Sequence, residues 1–222
     1  MKTKMKALTL VLCAMLLVVA SVMGTLAYLK ATSDTVVNTF TVGKVGIKLD
    51  EAPVDEYGKV VTGDRRITNT YKLMPGHTYT KDPMVTVKAE SESSYIRMKV
   101  TIEGYDQLVA AFPKETFAEF WSGDMFLLEK LVSNWDRNIW QSYGYDAATK
   151  TYEFRYYNTV DTLGKTDTAL EPLFKFVVVP GTLNNDQILA LNGVKINIVA
   201  HAIQADGFAN ADAAWTAFDQ QA

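Results

Sequence analysis

Two histidines, one cysteine and a scatter of carboxylates are the residues here from which a metal site would be built. His77 stands in a Pro-Gly turn and His201 follows Ala200 at the end of an alternating apolar run. No His-Glu-x-x-His occurs, so the helix that presents two zinc ligands on one face is missing. A zinc site would need His77 and His201 to converge with a carboxylate that the sequence does not identify. They are the weak metal candidates, and the expected assignment is no metal, no cofactor and no catalytic residue. Cys13 lies near the N-terminus, with no second cysteine for a disulfide or a thiolate site. No Gly-x-Ser-x-Gly elbow and no phosphate-binding loop is present. Glu90, Glu92 and Glu103 flank strand-like runs, where solvated rims are their natural place.

The elements that would position such residues begin with a leader. Lys2, Lys4 and Lys6 precede an almost wholly apolar run from Ala7 to Met23, and small residues follow at Gly24, Thr25 and Ala27. This is the layout of a secretory signal peptide, with cleavage expected between Ala27 and Tyr28. With Leu26 to Leu29 added, the same apolar run could span a bilayer as an uncleaved anchor. Of the 22 basic and 25 acidic residues, three lysines and no acids precede residue 28. The processed chain would therefore carry 19 basic residues against 25 acidic, a net charge of −6. A mildly acidic domain without a basic stripe is a poor partner for nucleic acid. Contact with a membrane is expected only before the leader is removed.

Residues 28–43 read as an extended arm. Asp34–Phe40 is β-branched and aromatic with no helical stripe, and it gives way to a segment broken by Gly43 and Gly46. Val45, Ile47 and Leu49 then alternate with polar residues. Asp50–Thr70 is polar, a loop or a weak hairpin. Met84–Ala89, Tyr95–Glu103 and Gly193–Gln204 alternate strictly. In the second of these Ile96, Met98, Val100 and Ile102 point one way and Tyr95, Arg97, Lys99 and Thr101 the other, as in a sheet with one face solvated. Trp140–Tyr145 and Tyr152–Asn158 flank a turn and predict an aromatic hairpin. Leu173–Val179 predicts a buried strand.

A helical insertion is expected over about 105–138, as two or three short helices, with Pro113 in the first turn of the second. Asn210 is placed to cap a last helix, Ala211–Phe218, with Trp215 and Phe218 facing inward. The pattern predicts a mainly β chain: an antiparallel, jelly-roll-like β-sandwich over 44–222 with short helical insertions, preceded by an N-terminal signal helix.

Three stretches carry a resemblance. They are GTLAYL with the following Asp34–Gly43 run DTVVNTFTVG, the segment Leu73–Val100 with LMPGHTYTKDPMVTV and SSYIRMKV, and VKINIVAHAIQADGF at Val194–Phe208. Together they resemble the TasA/camelysin family of secreted proteins, which a SipW-type signal peptidase releases. The resemblance implies a jelly-roll-like sandwich, an extracellular location and, for the TasA branch, assembly into biofilm matrix fibres. The expected partners are then further copies of this chain, the signal peptidase and an accessory matrix protein.

A sandwich lacking one strand would accept an extended segment from the next subunit, and such head-to-tail donation propagates as a filament. The donor segment would be Leu29–Thr41, with Val36, Val37, Phe40 and Val42 as anchors and Gly43 as hinge. The same arm pairing in its own sheet is the alternative. Two other functions stay open: a camelysin-like surface metallopeptidase, which the resemblance allows and the missing zinc motif argues against, and a monomeric surface binding module using aromatics from Trp135–Tyr157.

Overall fold

The structure, a computed structural model, describes residues 2–24, 43–121 and 126–221. The chain divides into two units, Met1–Thr41 and Val42–Ala222. In the first, the apolar N-terminal run forms one helix, α1 (Lys2–Gly24). Among the described residues no helix is long and apolar enough to cross a membrane. The expected cleavage point Ala27–Tyr28 and the arm residues Val36, Val37, Phe40 and Val42 lie outside the described residues.

The second unit is mainly β. Its strands are β1 (Ile47–Asp50), β2 (Thr78–Thr80), β3 (Met84–Val87), β4 (Ser94–Glu103) and β5 (Val132–Ser133), followed by β6 (Trp140–Asp146), β7 (Thr151–Tyr156), β8 (Thr168–Ala169), β9 (Phe176–Val178) and β10 (Lys195–Gln204). They form three antiparallel sheets in the orders β1-β3-β8, β10-β4-β7-β6 and β2-β9-β5. Alternation sends Val85 and Val87, Ile96 to Ile102, and Tyr152 and Phe154 into one shared core, together with Tyr79, Trp140 and Phe174. Ten residues of β4 pair with ten of β10 without a register shift, the longest ladder of the described chain. The hairpin β6–β7 carries a bulge between Ser142 and Gly144.

The polar stretch after β1 forms no named strand. It is tied down by Arg65, whose Nε donates to Asp50 at 2.6 Å and whose Nη1 donates to Asp82 at 2.9 Å, and by a Lys81–Glu51 ion pair at 2.6 Å. Gly58 is required here: it takes φ 77°, and a Cβ on it would meet Tyr79 Cα at 2.6 Å.

The helical insertion is shorter than its composition predicts. α2 (Tyr105–Ala111) is followed by a 3₁₀ turn, Ala118–Trp121, and by α3 (Phe126–Leu131). Pro113 opens a single turn, its carbonyl accepting from both Thr116 and Phe117, rather than a second α-helix. The third helix stops at Leu131 because Val132 and Ser133 pair with β9, and Asn134 then takes φ 58°. Leu173–Val179 is likewise only partly a strand. Leu173 and Phe174 fill the core from irregular backbone, and pairing is confined to Phe176–Val178. An apolar run reports burial without reporting conformation.

The expectation that the second face of β4 is solvated fails at Arg97, which is 1% exposed. After α4 (Asn185–Ala190) and β10, the terminal helix α5 (Ala211–Gln220) lies over that face and buries Trp215. Asn210 caps it as predicted, accepting from the Ala213 N–H at 2.9 Å. Asn210→Ala is expected to cost about 1 kcal/mol, measured as a lower urea midpoint with an unchanged m-value.

Candidate functional site

The two histidines have separate surroundings. The ring of His77 packs beside Tyr79 with centroids 6.2 Å apart, and its carbonyl accepts from the Val179 N–H at 2.9 Å. His201 lies opposite Arg97 in the β10–β4 register. Its Nδ1 accepts from Arg97 Nε at 3.2 Å, and its ring lies 4.9 Å from that of Phe218. Burial first, and then the charges of Arg97 and Lys99, push His201 below its ordinary pKa. A neutral imidazole has one acceptor nitrogen; here it is committed to a guanidinium, whose charge also opposes the approach of a metal cation. Among the described residues no group of three or more His, Cys, Asp or Glu is placed to hold a metal ion.

Arg97 is the hub of this outer face. Its Nη2 and Nη1 donate to the two carboxylate oxygens of Asp219 at 2.5 and 3.0 Å, with Glu153 at 3.5 Å. The guanidinium lies 4.4 Å from the Trp215 ring centre and 5.0 Å from that of Phe218. A fork-shaped cation between aromatic planes, closed by a bidentate carboxylate, is a latch that holds α5 on the sheet. The sequence carries only a weak signal for it, because an arginine on the polar side of an alternating strand reads as solvated. Only the spacing of Trp215 and Phe218 hints at a cover.

The other side of the sheet ends in an open edge. The Ala205 N–H donates to the Ser93 carbonyl at 2.7 Å, next in register to the Gln204–Ser94 pair. Hydrogen-bonded pairs recur every second residue in an antiparallel ladder, so the odd-numbered residues of β10 bond to β4. The N–H and C=O groups of Ile196, Ile198, Ala200 and Ala202 therefore point away from β4. Among the described residues no strand pairs there.

β1, the edge strand of a different sheet, comes within 8 Å of β10 by Cα–Cα distance without bonding to it. Along this seam Ile47, Leu49, Ile196, Ile198 and Ala200 are only half-buried, whereas the facing rows of β3 and β4 are fully buried. β10 contains no proline and no bulge, the usual devices that blunt an edge.

No family model, no curated protein and no solved structure matches this chain.

Among the other residues named from sequence, Gly43 is described and lies against Glu92. A Cβ there would approach Glu92 Cγ at 2.9 Å, and its φ is not left-handed. The aromatic stretch Trp135–Tyr157 divides. Trp140 is fully buried, donating from Nε1 to the Glu171 carbonyl at 2.8 Å, and half-buried Trp135 donates to the Trp140 carbonyl at 2.7 Å. Both belong to the core and its border. Tyr143 and Tyr157, 49% and 56% exposed, are the surface aromatics.

Proposed function

We propose that this chain is a secreted structural protein of an extracellular matrix, similar to the TasA branch of the TasA/camelysin family, that polymerises through its N-terminal arm. The open β10 edge beside β1 is the single observation that carries this reading. The seam offers unpaired backbone groups from alternate residues and a half-buried apolar row, the two things an added strand uses. In this reading the sheets form a jelly-roll-like sandwich, with β10-β4-β7-β6 as one layer and the two three-stranded sheets as the other. One strand position at the seam is left for a neighbour.

The reach is sufficient. β10 is ten residues long, about 33 Å when extended, and thirteen arm residues from Leu29 to Thr41 span about 43 Å. Val36, Val37, Phe40 and Val42 would supply the apolar contacts, each worth about 1.5–3 kcal/mol if fully buried. Removal of the leader by a SipW-type peptidase would free the arm and start assembly. The arm of one copy then enters the seam of the next, with an accessory matrix protein ending or anchoring the fibre.

Negative-stain microscopy tests this with chains beginning at residue 28 and at residue 43. Filaments are expected from the first and not from the second. Ala200→Pro removes an N–H that points to the open edge and spares the β4 ladder, so it should abolish filaments while the circular dichroism spectrum is kept. Filaments from the chain beginning at residue 43, or from a folded Ala200→Pro protein, would refute the proposal.

A further inference from the structure

On the outer face toward β6, the opposite side of the four-stranded sheet from β10, lies a cleft of about 220 Å³. Its walls come from four elements: Tyr95 of β4, Gln141 and Tyr143 of β6, Arg155 of β7 and Trp215 of α5, with Tyr157 and Asn158 just beyond β7. The exposed tyrosines are held in place. The Arg155 guanidinium lies 3.9 Å from the Tyr143 ring centre, and Tyr157 rests against Tyr156 with centroids 5.0 Å apart. Arg155 itself is spent, donating to Glu153 at 2.6 Å and to Asp212 at 2.5 Å. An anion entering the cleft would meet a cation already paired with two carboxylates, in a chain whose net charge is negative. Trp215 is 2% exposed, and its indole N–H has no acceptor among the described residues.

We propose that this cleft binds one ring of a neutral glycan. Fixed tyrosine faces offer flat apolar surface to the C–H face of a pyranose. The Gln141 and Asn158 amides and the tyrosine hydroxyls, which donate and accept, match its ring of hydroxyls. The volume lies below the roughly 300 Å³ at which drug-sized ligand pockets begin, which suits a single sugar unit or a chain end. The cleft and the β10 seam are at different edges of the sheet, so glycan binding does not depend on strand donation at the seam. A matrix fibre with such a cleft on each subunit would bind the polysaccharide around it at regular intervals.

The probes are oligomers of glucose and of N-acetylglucosamine, titrated into the full chain by calorimetry, with a polyanionic glycan, hyaluronate, in parallel. Saturable binding of at least one neutral oligomer is expected. Tyr143→Ala and Tyr157→Ala, at exposed positions, should each weaken it at least tenfold while thermal unfolding stays within a few degrees of the parent. Tyr57→Ala, at an exposed tyrosine that does not line the cleft, should leave binding unchanged. The proposal is overturned if no neutral oligomer binds, if hyaluronate alone binds, or if Tyr143→Ala and Tyr157→Ala bind as the parent does.

Discussion

Trp140→Ala should lower the free energy of unfolding by about 3–5 kcal/mol. Trp140 is 0% exposed, and it starts the hairpin strand β6. Its ring meets Tyr156 edge-on with centroids 5.2 Å apart, and its indole N–H holds the Glu171 carbonyl. Its own carbonyl receives the Trp135 indole N–H. Truncation therefore opens a cavity and leaves the Glu171 carbonyl without its donor, while the backbone carbonyl that seats Trp135 is kept. The losses act on one cluster and are not independent, so Trp140→Phe, which keeps the ring contact and loses only the N–H and part of the volume, should cost well under half as much. Urea unfolding at constant m-value measures both. A Trp140→Ala loss below about 1 kcal/mol, against the 3–5 expected for such a truncation, would mean that the site collapses around the smaller side chain and is not a rigid corner.

Asp219→Ala should cost about 3 kcal/mol, the lower end for a buried ion pair that loses one partner. The asymmetry of the pair sets the effect. Arg97 is 1% exposed and the Asp219 side chain 49%, so removing the carboxylate strands a buried cation, with Glu153 at 3.5 Å as partial relief. Arg97→Met removes the charge but fills the space between Trp215 and Phe218. The released Asp219 is half in water already, so Arg97→Met should be clearly less harmful than Asp219→Ala. The reverse order would show that the latch works by attraction across the surface and not by relieving a buried charge.

Acid should open the same latch in two stages. The folded pKa of His201 lies below its ordinary 6.5, through burial and the charges of Arg97 and Lys99, with Asp219 and Glu153 opposing. The unfolded chain then takes up the proton first, and stability falls as pH drops below about 6.5. Asp219 is depressed below 3.8, chiefly by its hydrogen bonds from Arg97, so its contribution is present above that value and is lost as pH falls through the folded one. His201→Gln should flatten the first stage and Asp219→Asn the second, read from thermal midpoints between pH 7 and pH 3.

What the sequence made legible was periodicity. β4 and β10 are long and strictly alternating, so their bounds and inward rows follow from a period of two. α5 follows from Asn210 and from the spacing of Trp215 and Phe218. The two- and three-residue strands β2, β5, β8 and β9 are too short for any period, and only pairing with distant partners defines them. Helix composition over 105–138 likewise yielded to tertiary pairing at Val132 and Ser133.

The seam was illegible for another reason: alternation tells which way Ile196 and Ile198 point, not whether anything covers them. Arg97 shows the same limit from the opposite side. Its place on a polar row was correct, and its burial depends on a helix that begins more than a hundred residues later.

The ten-residue ladder between β10 and β4 also has a mechanical meaning. A pull along the length of β10 loads its bonds to β4 side by side, so they must shear together and cannot unzip one at a time. The same pull applied crosswise at Lys195 would peel them singly. This domain is therefore built to resist stretching along one axis far better than across it.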